Sequence, residues 1–196
     1  MTYPPAPWNM HGQLWLSLFR VREGDHPDRA AGVYGAALVS YEQPSPLTYS
    51  ELLVARPVEK KVRITDIWVD SEDSLNGGRE LWAIPKGLCD FELDTSHRGP
   101  LSSTEWSASV ERRPIASASF TDVSRAMLRV PFKGTTWQPG IEDTGGEERT
   151  AVLQGSSKAL PCRGRWDFAA DGPLGWLRGA RQLASFRQAD FRMSFG

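Results

Sequence analysis

The strongest constraint on the fold is a series of short segments in which apolar and polar residues alternate. Alternation with a period of two is typical of extended strands with one buried face. The same segments are rich in β-branched and aromatic residues, which favour strands. We predict strands over residues 13–21, 32–42, 47–56, 62–69, 88–94, 126–132 and 184–195, and a hairpin over residues 104–120 that turns at 112–114.

One segment between these strands indicates a helix. Asp70 or Ser71 can cap it, and residues 74–82 can form its body. Pro85 then ends it, because the residue before a proline is disfavoured in helical conformation. The adjacent Gly77 and Gly78 weaken the helix, since an interior glycine costs about 1 kcal/mol relative to alanine.

This pattern of elements predicts a mainly β fold. Many short strands with one or two short helices are typical of an antiparallel barrel or sandwich. The chain has 196 residues, and we find no internal repeat, low-complexity stretch or linker in it. We therefore expect a single domain over residues 1–196.

Composition limits the classes of partner. With 23 basic and 24 acidic residues the formal net charge is -1, so the chain has no strong overall attraction to nucleic acid or to an anionic membrane. No apolar run approaches the ~18 residues of a membrane-spanning helix, and the first residues lack the pattern of a secretory signal. The 2 cysteines do not form a C-x-x-C pair. We expect a cytoplasmic protein without nucleic-acid or membrane partners.

Several common site motifs do not occur. The sequence contains no phosphate-binding loop, no Rossmann glycine pattern and no G-x-S-x-G nucleophile motif. His11, His26 and His97 lack metal-ligand spacing, and the acidic loop over residues 142–148 reads as a solvated surface. We therefore expect neither a metal nor a cofactor.

Lys86 is the residue that most clearly suggests a chemical function. It follows apolar residues and Pro85 at the junction between the predicted helix and a strand. If its side chain points inward, burial favours the neutral amine, which is a nucleophile that forms a Schiff base with a ketone. The alternative is that the side chain extends to solvent.

The residues around Lys86 resemble a known family. Residues 78–88, GRELWAIPKGL, are similar to the signature of the acetoacetate decarboxylase family, in which the lysine forms the Schiff base. The segments that end at Arg20 and Glu42, and the Tyr-Ser-Glu sequence that ends at Glu51, resemble other family segments in the same order. The resemblance spans residues 7–132 and the last strand, and it implies a cone-like antiparallel β-barrel.

The resemblance also implies roles for these residues. Lys86 would attack the ketone of a small β-keto acid, and the imine would draw electrons as carbon dioxide leaves. Arg20 would bind the substrate carboxylate, while Glu42 and Glu51 would position the lysine and relay protons. The family further implies a cofactor-independent carboxy-lyase that forms a homo-oligomer.

One departure from the family is Gly87, which replaces a second lysine beside the nucleophile and is expected to enlarge the space there. Without that cationic neighbour, lowering a lysine pKa from about 10.4 to about 7 requires about 4.6 kcal/mol. Complete burial can shift a pKa by about 3–5 units. Trp82 and Ile84, which we expect to line the substrate pocket, can supply the apolar setting. An ionised glutamate nearby acts in the opposite direction, and the sequence leaves this balance open.

Two other functions fit the same sequence. The imine can serve aldol condensation or dehydration in place of decarboxylation. Alternatively, the chain is a non-catalytic barrel that binds a small apolar ligand, which its 8 tryptophans suit, although tryptophans also pack protein cores. The direction of the Lys86 side chain separates the imine functions from simple binding.

Overall fold

The computed structural model describes residues 3–98, 101–123 and 128–196. The strands are β1 (Trp8–Val21), β2 (Gly32–Glu42), β3 (Tyr49–Val58), β4 (Lys61–Val69), β5 (Gly87–Leu88), β6 (Asp90–Arg98), β7 (Leu101–Val110), β8 (Arg113–Asp122), β9 (Leu128–Gln138), β10 (Arg149–Phe168) and β11 (Arg181–Phe195). The helix α1 spans Glu72–Trp82, and short 3₁₀-helices span Glu142–Thr144 and Gly175–Leu177. Within the described ranges, no helix is long and apolar enough to cross a membrane. The predicted mainly β fold is confirmed.

A closed ring of strands forms the centre of the molecule. Strands β11, β1, β2, β3, β4, β9 and β10 are hydrogen-bonded in that order, and β10 also pairs with β11. The neighbours are antiparallel except β4 and β9, which meet in parallel through Val62 and Thr136. Alternate side chains of every strand therefore point into one shared interior.

A second layer of strands lies against the outside of the ring. Strand β10 has 20 residues: residues 149–159 pair with β9, whereas residues 162–168 pair with β8 in the second layer. Strands β7 and β6 follow β8 in that layer. Trp15 and Leu52 of the ring pack there against Trp106 and Phe120 of the layer. The ring with its extension gives the molecule a cone-like form.

Strand alternation sorts the residues of β2 and β3 between these two cores. Val39 lies opposite Glu51, and Leu38 lies opposite Leu52. Val39 and Glu51 face the ring interior, while Leu38 and Leu52 belong to the core between the layers. Because both faces are buried, β2 reads as a nearly continuous apolar run. The same alternation brings the carboxylate of Glu51 into the ring.

Helix α1 begins and ends as its sequence predicts. The side chain of Ser71 accepts a hydrogen bond from the backbone N–H of Ser74 at 3.2 Å, so Ser71 is the cap. Ala83 adopts a left-handed conformation with φ 55° after the last helical residue, and Pro85 follows. Satisfied ends of this kind stabilise a short helix.

The two glycines of α1, expected to weaken the helix, are required by close packing. A Cβ atom at Gly77 would lie 2.6 Å from Cζ2 of Trp8. A Cβ atom at Gly78 would lie 2.7 Å from Cε of Lys86. The loss in helix propensity is therefore the cost of bringing α1 against the ring and against Lys86.

Some strand boundaries differ from the prediction. The strand predicted over residues 126–132 begins at Leu128, and residues 126 and 127 lie outside the described residues. Strand β10 was not predicted at all. It contains Gly155, Pro161 and several polar residues, and it changes pairing partner part of the way along. A strand that serves two sheets has no single buried face, so its sequence shows no clean alternation.

Candidate active site around Lys86

Lys86 is buried, with 5% of its surface exposed, between α1 and β5. Its backbone N–H donates to the carbonyl of Ile84 at 2.8 Å, and its own carbonyl accepts from Nη1 of Arg79 at 3.2 Å. Arg79 is held in turn by an ion pair with Asp143. The backbone is therefore fixed, and the side chain points into the ring. The alternative of a solvent-directed Lys86 is wrong.

The ammonium group of Lys86 lies in a buried hydrogen-bonded network. Its Nζ atom donates to Oε2 of Glu51 at 3.0 Å and to Oγ of Ser74 at 2.9 Å. The hydroxyl of Tyr41 donates to the other oxygen of Glu51, Oε1, at 3.1 Å. Nζ also lies 5.1 Å from the ring centre of Tyr49, within the range of a cation–π contact. These contacts hold the amine and the carboxylate at a distance suited to proton transfer.

Strand geometry explains why these groups meet. Tyr41 and Tyr49 lie opposite each other on β2 and β3. Tyr49 and Glu51 are two residues apart, so both point to the same face of β3. The Tyr-x-Glu pattern noted in the sequence is thus one side of a strand that lines the ring interior.

Glu51 decides the protonation state of Lys86. Burial lowers the pKa of Lys86, but the charge and the hydrogen bond of Glu51 outweigh it, and the pKa lies above its ordinary value. Burial raises the pKa of Tyr49 to about 12 and raises the pKa of Tyr41 well above its ordinary value. The resting site therefore holds a protonated amine and two neutral phenols. Burial alone does not produce the neutral amine.

A cavity of about 360 Å³ extends from this network through the ring interior. This volume falls within the ~300–1,000 Å³ of typical small-molecule sites. Trp82 and Ile84, the predicted substrate-binding residues, are part of its wall together with Lys86, Glu51 and both tyrosines. Most of the remaining wall is apolar, with contributions such as Met10, Val39, Leu53, Ile67 and Phe191.

The structure does not bring Arg20 and Glu42 to Lys86. Glu42 is the exposed last residue of β2, and it points away from the interior because its neighbour Tyr41 points inward. Arg20 is exposed near the end of β1, where it pairs with Val33, whereas Glu42 pairs with His11. These two levels of the ladder are about 30 Å apart at about 3.3 Å per residue. The prediction that Arg20 and Glu42 act together with Lys86 in one site is therefore corrected: neither side chain lines the cavity that contains Lys86.

From the sequence we expected Gly87 to enlarge the space beside Lys86, and this expectation is wrong. A Cβ atom at Gly87 would lie 3.1 Å from Cδ1 of Trp68, whose side chain packs against the core between the layers. Residues 86 and 87 thus face opposite sides of the chain. The space for the stem of Lys86 comes from Gly78.

Two residues of the network were missed by sequence reasoning. Ser74 is fully buried in the first turn of α1, and no feature of its pattern marks it as a partner of Lys86. Tyr41 was identifiable in principle, since alternation along β2 puts Tyr41, and not Glu42, on the same face as Val39. Among the described residues, no group of three or more His, Cys, Asp or Glu side chains can hold a metal ion.

Comparison with known structures identifies proteins that have the same fold as this chain. MppR, an enduracididine biosynthesis enzyme complexed with pyruvate, superimposes with a TM-score of 0.68 at 18% identity, covering 99% of this chain and 90% of MppR. Acetoacetate decarboxylase from Legionella pneumophila gives 0.67 at 14% identity, covering 99% and 86%. An acetoacetate decarboxylase-like enzyme from Sphingomonas wittichii gives 0.63 at 15% identity, covering 98% and 90%.

Sequence comparison identifies the family. No curated protein matches the chain at a significant level. The family model of acetoacetate decarboxylase matches residues 27–139, which include Tyr41, Glu51, Ser74 and Lys86 but not Arg20. The chain therefore belongs to the acetoacetate decarboxylase family.

Proposed function

We propose that Lys86 forms a Schiff base with the carbonyl group of a small-molecule substrate, and that the protein is an enzyme of imine chemistry. The observation that carries the proposal is the buried amine at the wall of the ring cavity, within hydrogen-bond distance of a carboxylate and a hydroxyl. A binding protein for apolar ligands would gain nothing from burying this ion pair, since desolvation makes it costly. Membership of an enzyme family supports the same conclusion.

Formation of the imine begins with loss of a proton from Lys86. Oε2 of Glu51, at 3.0 Å, is placed to accept it. The neutral amine then attacks the carbonyl carbon, a C–N bond forms, and the carbonyl oxygen takes up protons and leaves as water. Tyr41 holds the other oxygen of Glu51, which keeps Oε2 directed at the amine. Ser74 holds Nζ in place during the transfer.

The family suggests decarboxylation of a β-keto acid as the reaction. Once the β-keto acid is bound to Lys86 as an iminium, the bond between its α-carbon and its carboxylate breaks, and the electron pair of that bond moves toward the nitrogen. Carbon dioxide leaves, the resulting enamine takes up at carbon a proton that Glu51 relays from solvent water, and water releases the ketone from Lys86. No cofactor is required, because the iminium itself is the electron sink.

A second candidate is aldol condensation or dehydration through the same imine. It is favoured by the position of Arg20, which lies away from the cavity and cannot bind a substrate carboxylate there. MppR has been described with the condensation product of pyruvate and imidazole 4-carboxaldehyde, so a cone of this kind accommodates a condensation product. In this reaction the iminium loses a proton from its α-carbon to Glu51. The enamine carbon then forms a bond to the carbon of an aldehyde, and the aldehyde oxygen takes up that proton.

Reductive trapping tests the proposal directly. The protein is incubated with acetoacetate, acetone or pyruvate in the presence of sodium borohydride, and intact mass and peptide mapping then locate any adduct. We expect one reduced adduct on Lys86, none in Lys86→Met, and an unchanged yield in Lys158→Met, a matched variant of an exposed lysine. Carbon dioxide release from acetoacetate separates decarboxylation from condensation. If folded protein gives no adduct with any carbonyl compound, the proposal is wrong.

A further inference from the structure

We propose that the substrate carries an extended apolar chain on its carbonyl carbon, and that this chain lies along the interior of the ring. The inference deepens the proposed function and rests on it, because it assumes that the carbonyl reacts at Lys86. It rests on three features of the cavity: the chemistry of its wall, its length, and the charge balance at its inner end.

Away from Lys86 the wall of the cavity is mostly apolar, with Lys133, Thr136 and Gln188 as its polar members. Leu53 and Ala55 follow Glu51 along the inner face of β3, and Leu16 and Ala37 lie on the inner faces of β1 and β2. A carbonyl compound of three or four carbons would contact only the part of this wall nearest Lys86. A longer hydrocarbon chain would remove the remaining apolar surface from water, which is the main source of affinity in such sites.

The length of the cavity suits such a chain. From Glu51 to Ala55 the strand rises about 13 Å at about 3.3 Å per residue. Ala55 pairs with Ile64, and Val62 lies further out on β4, where it is 39% exposed. Lys133, also part of the lining, is exposed as well. The cavity thus runs from a buried reactive end at Lys86 to a solvent-accessible end at Val62 and Lys133.

The charge balance at the buried end disfavours highly polar substrates. The charge of Lys86 is already paired with Glu51 at 3.0 Å. Lys133 is the other cationic residue of the described lining, and it lies at the exposed end. A small substrate that is mostly carboxylate would bury its charge without a new partner, which is costly. Apolar chain contacts can offset that cost, whereas a short keto acid has none to offer.

Gly134 allows the length of the cavity to be changed. It lies in the wall opposite Leu153, which also lines the cavity, so the two residues share a face. A Cβ atom at Gly134 would meet no heavy atom within 4 Å. Leucine at this position would therefore shorten the free length at the open end without overpacking the core.

The experiment compares homologous series. Methyl ketones from acetone to methyl heptyl ketone are trapped on wild-type protein with borohydride, and the rate per unit concentration is determined for each. Primary alcohols of matched length, which cannot form imines, are titrated by calorimetry. We expect both quantities to rise about fourfold per methylene group, the gain for complete burial of a CH₂ group, and to stop rising earlier in Gly134→Leu. Gly179→Leu, whose Cβ also meets open space but lies outside the cavity lining, is the matched control.

The outcomes separate the two proposals. A trapping rate and an alcohol affinity that do not change with chain length overturn the inference. An alcohol affinity that rises with length, without trapping of any ketone, overturns the proposed function but supports an apolar occupant. A rise that is truncated in Gly134→Leu but not in Gly179→Leu supports the inference.

Discussion

The Nζ atom of Lys86 lies 3.0 Å from Oε2 of Glu51 inside the ring, and each side chain is 4% exposed. A buried ion pair pays a large desolvation penalty, which its mutual attraction repays only when further hydrogen bonds satisfy both partners. Here Ser74 satisfies the amine, and Tyr41 satisfies the carboxylate. The pair is therefore stable as a network, and each member depends on the other.

This dependence predicts the stability of variants at the two positions. Lys86→Met leaves the carboxylate of Glu51 buried without its partner, and we expect the free energy of unfolding to fall by about 3–5 kcal/mol. Adding Glu51→Gln to Lys86→Met removes the stranded charge and should restore a large part of that loss. Urea denaturation of the wild type, both single variants and the double variant measures the coupling. Additive losses would show that the two side chains do not stabilise each other.

The same pair predicts the pH dependence of imine formation. The pKa of Lys86 is raised, so the amine is protonated at neutral pH, and trapping should accelerate as the pH rises toward that pKa. Glu51→Gln removes the largest influence that raises the pKa and leaves burial, which lowers it. The pH midpoint of borohydride trapping should therefore move to lower pH, even though the maximal rate falls with the loss of the proton acceptor.

Glu42→Gln is the matched control for this prediction. Glu42 is exposed and points away from the cavity, so its loss should leave both the midpoint and the maximal rate unchanged. A midpoint that moves to lower pH in Glu42→Gln, or stays fixed in Glu51→Gln, would contradict the assignment of Glu51 as the partner of Lys86.

The elements with a clear apolar pattern or clear end signals were predictable from the sequence. Strands β1 to β4 alternate or form apolar runs, and α1 shows its cap at Ser71 and its end before Pro85. Strand β10 was not predictable in this way, because it divides its residues between two sheets. The ring itself depends on the pairing of β10 with β11 and of β4 with β9, which joins segments far apart in the chain.

The candidate site was predictable only in part. The local sequence and the family resemblance both pointed to Lys86, and the resemblance pointed to Glu51; the structure brings the two together. It also suggested Arg20 and Glu42, but position along a strand and choice of face depend on register, which a short motif does not specify. Ser74 reaches Lys86 only because Gly78 lets α1 approach, a consequence of packing that has no sequence period.

Gly78 provides a test of that approach. Alanine gains up to about 1 kcal/mol in helix propensity, but its Cβ atom would lie 2.7 Å from Cε of Lys86. We expect Gly78→Ala to lose about 1–3 kcal/mol through overpacking and to trap ketones more slowly, because Nζ is displaced from Glu51. Gly179→Ala, which meets open space, should change neither quantity. Denaturation and trapping rates are measured on both variants, and equal behaviour of the two would argue against close packing at Gly78.

Gly87 tests whether the second lysine of the family pattern can be restored. The side chain at this position faces Trp68, with its Cβ 3.1 Å from Cδ1 of that ring, and Lys86 faces the opposite side. Gly87→Lys should therefore leave the pH midpoint of trapping unchanged, since its ammonium does not reach Nζ of Lys86. It should lower the free energy of unfolding by about 1–3 kcal/mol, because Trp68 must move. A midpoint shifted to lower pH would show that a cation at position 87 acts on Lys86, and the opposed directions of these two side chains would then be wrong.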